Sequence, residues 1–451
     1  MTSTRAQASV NELRQSLAGA VLTSEDADYD AARRCYNGLV DRRPAVIARC
    51  VSAADVATAF SFARTEGLDV AVRGGGHNPA GHCVVDEGLV IDLSSLRAVE
   101  VDAEASIARA GGGSTWLDFD SATQAFGLVT PGGVVGSTGV GGLTLGGGIG
   151  HLTSQLGLTC DNLVGAEVVT PDGSAHYASA DENAELLWGL RGGGGNFGVA
   201  TRLDFRLHPL DRVVGGLLTY SGDAVGDVLR RFRDLAAQSS PDASLQAILG
   251  LSESAEPVVI LCLCSTSLDP GELRTMRSLP GLRDDDVRER SFLEQQRVFD
   301  SPYGVSREYW KGHFVAELPD ELIDELVRSI GLLGRPPGQI LIESLHGAPK
   351  DADPDGGVVG FRRATFNVSA MASWQDAGSD DEHIAWARGV VAAIEPWSMN
   401  GGGYVNYMTA DEPIERLRAA FGAESFARLQ ALKRRYDPDN VLRRNQNIPP
   451  S

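Results

Sequence analysis

The sequence predicts an α+β chain of two units, and three observations carry that reading. The chain has 451 residues, too long for one ordinary core. Its 53 glycines gather in a few clusters interleaved with Val, Leu and Ile, the look of packed loops rather than flexible linkers. Near residue 209 the character changes. From Val213 to about Gly403 strand-like runs alternate with amphipathic helices, the pattern of an antiparallel sheet with helices on one face.

The elements follow in order. Residues 25–48 read as a helix and loop before a first strand at AVIAR. Ser52 caps a helix through VATAFSFARTEG, with Asp55 at the acidic box position and Gly67 at its end. The strand LDVAVR runs into RGGGHNPAGH, and GLVIDLSSL and AVEVDAEASIARAGGG are further strands. TWLDFDSATQAFG is a helix ended by Gly127, and VGAEVVTPDGSAHYAS is a hairpin turning at Pro171, Asp172 and Gly173. NAELLWGLRGGGGNFG is a helix with a glycine loop, and VATRLDFRLHPL is a strand leading out. In the second unit VVGGLLTYSG, ASLQAILGLS, PVVILCLCST, QILIESLHGA and ATFNVSAMASW are strands; DAVGDVLRRFRDLAAQ, PDELIDELVRSIGLL and DEHIAWARGVVAAI are helices. The tail ESFARLQALKRRYDPDNVLRRNQNI is one helix and a final coil.

Composition excludes several function classes. A net charge of −20 argues against nucleic-acid or anionic-membrane partners, which require a basic surface. No run of about 18 apolar residues suggests a span, and the polar N-terminus lacks an apolar signal core. A soluble cytoplasmic protein is expected. The six cysteines form no CxxC and no zinc-type spacing, so they read as small buried hydrophobes and no metal site is expected.

The glycine loops do not fit a dinucleotide-binding GxGxxG fingerprint. After Gly76 comes HNPAGH and then a strand, and RGGGGNFGVATRLDF also runs into a strand. No P-loop lysine follows any of them. What remains is a set of strand–loop–strand turns whose N–H groups form anion nests, able together to wrap the pyrophosphate of a large dinucleotide.

RGGGH at 73–77, PGG and STGVGGLTLGGGIGHL within 131–152, GLTCDNLVGAEVVTPDG at 157–173, LLWGLRGGGGNFGVATRLDFRLHP at 186–209, GGGYVNYM at 401–408 and YDPDNVLRRNQNI at 436–448 occur in that order. Together they resemble the berberine-bridge-enzyme-like FAD-linked oxidases, with a PCMH-type FAD-binding fold of the vanillyl-alcohol-oxidase type. The resemblance implies an FAD-binding domain at 1–208, completed by 410–451, and a substrate domain at 209–409 whose sheet covers the flavin.

It also implies that His77 is bonded through its ring to the flavin 8α-methyl. Counting back from Gly139-Val140-Gly141-Gly142, the family's second, cysteinyl attachment falls on Val135, so one covalent link is expected. Cys160 lies elsewhere and is not the linker. The resemblance carries Arg73, Gly74, Gly75, Gly76, Asn78 and Gly81 to the cofactor, with Ser137, Thr138, Gly141, Gly142, Leu143, Gly147 and Gly150. Val199, Asn445 and Asn447 complete the set. His82 and His151 are given no role.

For the chemistry, the family's YxN tyrosine falls on Tyr404, with Asn406 two residues on. A proton acceptor is needed as hydride leaves carbon, and the expectation is a Tyr404 phenol acidified by its neighbours. Period-two alternation places Tyr404 and Asn406 on one face of a strand and Tyr407 on the other. Where plant-like relatives carry an acid or amide before a tryptophan, this chain has Ser369, with Asn367 two before it. Glu343, beside Leu341 and Leu345 on one strand face, is the substitute; His346 on the opposite face is its rival. Lys311 and His313 in YWKGHF read as surface-loop residues.

The small Thr138 at the flavin edge favours dioxygen as acceptor. The resulting expectation is an FAD-dependent oxidase acting on a C–H bearing alcohol, or related group, of a secondary metabolite or sugar. A flavin-N5-oxide oxygenase acting on a polyketide-like intermediate is the alternative. A catalytically quiet flavin-binding protein is a third reading, which Ser369 leaves open.

Overall fold

The computed structural model describes residues 3–238, 241–267, 270–300, 302–332 and 338–450. It is a mixed assembly of helices and sheets. Near the N-terminus a four-stranded sheet runs in the order Ala20–Leu22, Val46–Arg49, Leu89–Asp92, Val70–Arg73. Its first pair is antiparallel and the others are parallel. Ala20–Leu22 and the preceding helix Ser3–Ser16 were not expected, so Val46–Arg49 is not the first strand. The helix Ala53–Glu66 connects two of these strands. Ser52 accepts the Asp55 N–H, and Gly67 closes the helix at φ +68°, the left-handed conformation that favours glycine at this end.

A five-stranded antiparallel sheet follows, in the order Val99–Asp102, Ile107–Gly111, Val199–Arg206, Leu163–Val169, Ala175–Ser179. The helices Ile414–Phe421 and Ala423–Tyr436 return to it from the end of the chain. Leu417, Phe426, Leu429 and Leu432 share one core with Trp116, Leu163, Leu203 and Phe205. The tail from Glu424 holds one helix and a final coil, as expected; the helix Ile414–Phe421 precedes it.

Beside a two-stranded pairing of His208–Pro209 with Leu128–Val129, the next sheet has eight antiparallel strands. Along Ala243–Leu251, Leu245, Ala247 and Leu249 face the helices Val225–Gln238, Asp320–Gly331 and Asp380–Ile394. Gln246, Ile248 and Gly250 between them line a cavity. The same alternation runs through Pro257–Ser265 and Phe366–Trp374, because successive side chains on a strand point to opposite faces. One face is core and the other is open to a ligand.

Two sequence expectations are corrected. YWKGHF is not a surface loop but the middle of the strand Arg307–Val315, paired along its length with Phe366–Trp374. GGGYVNYM is not a strand: Val405–Tyr407 is a single 3-10 turn. All six cysteines are buried and free. No helix among the described residues is long and apolar enough to cross a membrane.

Candidate active site

A cavity of about 810 Å³ lies between the glycine loops and the open face of the eight-stranded sheet. Gly74, Gly75, Gly76, Gly139, Gly141, Gly142 and Gly193 to Gly195 build much of one wall. Two physical reasons for glycine are visible there. A Cβ on Gly75 would collide with the backbone of Gly139, and the reverse also holds, so these loops can touch only as glycines. At Gly142 and Gly195 a Cβ would meet no protein atom within 4 Å, although both line the cavity. A side chain there would fill space that belongs to a ligand.

Gly76 turns the chain at φ +72° and delivers His77 to the wall. Its imidazole stacks on Tyr36 with centroids 4.3 Å apart and meets Tyr303 edge-on at 5.5 Å. Ser137 Oγ lies 2.9 Å from Nε2, and Thr138 Oγ1 lies 3.3 Å from Nδ1. Burial lowers His77 to about 4, so the ring is neutral and its lone pair available at pH 7. Arg73 is not on the wall. It donates to the Ala32 carbonyl and to the Tyr303 hydroxyl at 3.3 Å, and Tyr303 in turn donates to the Gly75 carbonyl at 3.2 Å.

At the other side of the cavity Asn406 and Tyr407 line the wall, but Tyr404 does not. The Tyr404 hydroxyl accepts from Gly148 N at 2.9 Å, Ile149 N at 3.2 Å and Asn406 Nδ2 at 2.9 Å. Three donors favour a phenolate, yet full burial outweighs them and pushes the phenol above its ordinary value. The expected acidified phenol is therefore not found. The expected separation of Asn406 from Tyr407 also fails: both line the wall, because the 3-10 turn swings Tyr407 toward the sheet. Its hydroxyl donates to Glu343 Oε1 at 3.2 Å, and Asn367 Nδ2 donates to Oε2 at 2.7 Å. Burial lifts the Glu343 carboxyl to about 7 against both bonds.

The other expected residues divide. Asn78, Thr138, Leu143, Val199 and Asn445 line the cavity, as does Val135. Ser137 stands behind, bonded to His77. Gly81, Gly147, Gly150 and Asn447 are off the wall; a Cβ on Gly81 would strike Val40, and one on Gly150 the Gly132 carbonyl. Ser369 donates to Asn367 Oδ1 at 3.3 Å within the buried sheet. His346 lies past the end of its strand, 2.8 Å from Ser344 Oγ through Nδ1. Sequence reasoning missed Tyr36, Tyr303 and Glu308, which stand in no periodic pattern, and left out His82, which does line the cavity.

A curated relative, (R)-6-hydroxynicotine oxidase of Paenarthrobacter nicotinovorans, is 31% identical over 451 residues, covering 96% of this chain and 97% of its own. The chain belongs to the berberine-bridge-enzyme-like FAD-linked oxidoreductases. The FAD binding domain profile matches residues 44–179, and the berberine and berberine-like profile matches residues 403–449. The crystal structure of 6-hydroxy-D-nicotine oxidase from Arthrobacter nicotinovorans superposes with a TM-score of 0.87 at 29% identity, covering 97% of this chain and 99% of the other. Berberine bridge enzyme from Eschscholzia californica shares the fold, with a TM-score of 0.85 at 21% identity over 99% of each chain.

As a member of this family the chain is an FAD-linked oxidoreductase, and its cavity fits FAD. Its walls hold the open positions beside Gly142 and Gly195. Asn445 Oδ1 and His82 Nε2 are buried there without hydrogen-bond partners, and buried polar groups are normally paired. Asn445 is held by its amide, which donates to Gly195 O at 3.2 Å and Leu442 O at 3.0 Å.

Proposed function

We propose that this protein is an FAD-dependent oxidase carrying its flavin on His77 alone, and that it oxidises a C–H bearing alcohol or related group of a small molecule. Residues 1–208 with 410–451 would bind the cofactor, and 209–409 would form the substrate side. Bound FAD supplies the hydride acceptor, and dioxygen is the final oxidant. The observation that carries the reading is the neutral His77 ring, fixed between Tyr36, Ser137 and Thr138 on the wall of a glycine-lined cavity. Val135 on the same wall has no thiol, which supports a single attachment.

The proton lost by the substrate passes to Glu343 by way of Tyr407. Tyr407 faces the cavity, Glu343 accepts its hydrogen bond, and a carboxyl near 7 suits a general base at neutral pH. Tyr404 supports the Gly148–Ile149 backbone from behind, and Asn406 bridges it to the wall through the Leu143 carbonyl at 3.0 Å.

Acid-denatured protein is expected to remain yellow, with the mass of one FAD added to the chain. The His77→Ala protein should fold but release all its flavin on denaturation. Flavin washing out of the denatured wild type would overturn the attachment. Peroxide formed during turnover of an alcohol would support dioxygen as acceptor, and its absence with rapid anaerobic flavin reduction would point to another acceptor.

A further inference from the structure

Two of the six cysteines stand apart from the rest. Cys35 and Cys83 are distant in the chain but share one small apolar cluster with Leu22, Tyr29, Ile47 and Val85. Their side chains are hydrogen-bonded to each other. One carbonyl locates them both. Gly76 O accepts from the N–H of Tyr36, the residue after Cys35, at 2.9 Å, and from Cys83 Sγ at 3.9 Å. Cys35 Sγ lies 3.6 Å from Asn37 O. The pair therefore spans two segments that meet at Gly76. One carries Tyr36, whose ring stacks on the His77 imidazole; the other leads on from His77 to Cys83.

The pair has the two properties that make thiols react. The first is charge. The hydrogen bond from Cys83, against burial, and the guanidinium groups of Arg73 and Arg42 hold Cys35 below the usual thiol range, and the thiolate is the reactive form. Cys50, Cys160, Cys262 and Cys264 go the other way, raised by burial. The second is access. Among the described residues Cys83 is the one cysteine on the cavity wall, and Cys35 stands off the wall at 3% relative exposure.

We propose that Cys35 and Cys83 are a reversible redox pair, closed to a disulfide by hydrogen peroxide. The Cys83 sulfur, at the wall, attacks one peroxide oxygen as its proton passes to Cys35. An S–O bond forms and the O–O bond breaks. Cys35 then attacks the sulfenic sulfur of Cys83. The S–S bond forms, the S–O bond breaks and, with the two thiol protons, both oxygens end as water. The pair loses two electrons and the peroxide gains them. This rests on the dioxygen reading above only for a source of peroxide inside the cavity. Closed, the bond ties the Tyr36 segment to the loop beyond His77.

The test is a cysteine map of the flavin-loaded protein. It is treated with a modest molar excess of hydrogen peroxide, quenched with catalase, unfolded in N-ethylmaleimide, digested and weighed. One new species is expected, the Cys35 and Cys83 peptides joined and lighter than their reduced sum by two hydrogens. It should be absent before peroxide and after dithiothreitol, and the other four cysteines should remain alkylated. Alkylation of both Cys35 and Cys83 after peroxide, a Cys83 that stops at the sulfinic acid, or a bridge to any other cysteine would overturn the proposal. In Cys83→Ser, Cys35 should stay alkylated; a bridge from it to another cysteine would also overturn it. The wild-type map needs no variant, so a Cys83→Ser protein that fails to fold leaves it decisive. Peroxide added from outside separates the two readings. A protein that releases no peroxide in turnover, yet closes the bond, would sink the dioxygen reading and leave the pair standing.

Discussion

Tyr404 and Tyr407 have ring centroids only 4.7 Å apart, yet their hydroxyls play opposite parts. Tyr404 collects hydrogen bonds from Gly148, Ile149 and Asn406, whereas Tyr407 gives one to Glu343. Tyr407→Phe is expected to slow anaerobic flavin reduction by about 10²- to 10⁴-fold, the range of a general acid–base contribution. Tyr404→Phe should act mainly on stability. It strands two buried N–H groups, each worth about 1–3 kcal/mol, which a denaturant midpoint will register. Stopped-flow reduction of both variants decides between them: the larger kinetic loss in Tyr404→Phe would return the base to that residue. The pH dependence has a definite sign. A base works ionised, and Glu343 ionises above about 7. The reduction rate should therefore rise with pH toward 7 and level off above it, and Glu343→Gln should flatten that limb. The sequence places Tyr404, Asn406 and Tyr407 within one motif, but not their orientation. That depends on the Gly148–Ile149 backbone, far away in the chain.

The strand Arg307–Val315 shows why one element escaped its sequence. Arg307, Glu308, Lys311 and His313 give it the look of a solvated segment, yet each finds a distant partner. Arg307 pairs with Asp380 at 2.5 Å, Lys311 with Glu412 at 2.7 Å, and His313 Nδ1 lies 3.0 Å from Ser398 Oγ. Asn37 fixes the strand to the loop beyond His77. Its amide donates to Pro79 O at 2.7 Å and Glu308 O at 2.8 Å, and its Oδ1 accepts from Glu308 N at 2.8 Å and Leu39 N at 2.9 Å. Asn37→Ala removes all four at a fully buried position. Each lost partner costs about 1–3 kcal/mol, so the expected signature is a large fall in denaturant midpoint with an unchanged slope. Elements with local signals were legible by contrast. Ser52 and Gly67 bracket a helix, and the Thr170 to Ser174 turn closes a hairpin at 2.9 Å.

Across the whole molecule, the end of the chain is tied back to the cofactor side by a buried ammonium. Lys433 is fully buried. It donates to Asn196 O at 2.9 Å, Asp437 Oδ2 at 2.7 Å and Leu442 O at 2.9 Å. Lys433→Met takes the cation from Asp437, whose carboxylate keeps the Val441 and Leu442 N–H donors, and breaking a buried pair in this way costs about 3–5 kcal/mol. A thermal melt of the variant, compared with wild type, measures it. The melt also reports on the attachment. If FAD is covalent, wild-type stability does not depend on free FAD. His77→Ala should instead gain stability with added FAD, about 2.7 kcal/mol at a hundredfold excess over Kd. The helix-backed antiparallel sheet and the glycine loops were readable because period and composition carry them. The lining of the cavity opposite the glycine loops was not, because Tyr36, Glu308 and Tyr407 come to one wall only after folding.

The division of the eight-stranded sheet into a helix-packed face and an open face has a consequence for diversification. Ile248 and Gly250, Val258 and Ile260, and Met371 and Ser373 line the cavity and lie outside the helix-packed core, so these positions can change without disturbing it. Selection, or an experimenter's library, can therefore rewrite chemical preference at those positions while the scaffold keeps its folding robustness.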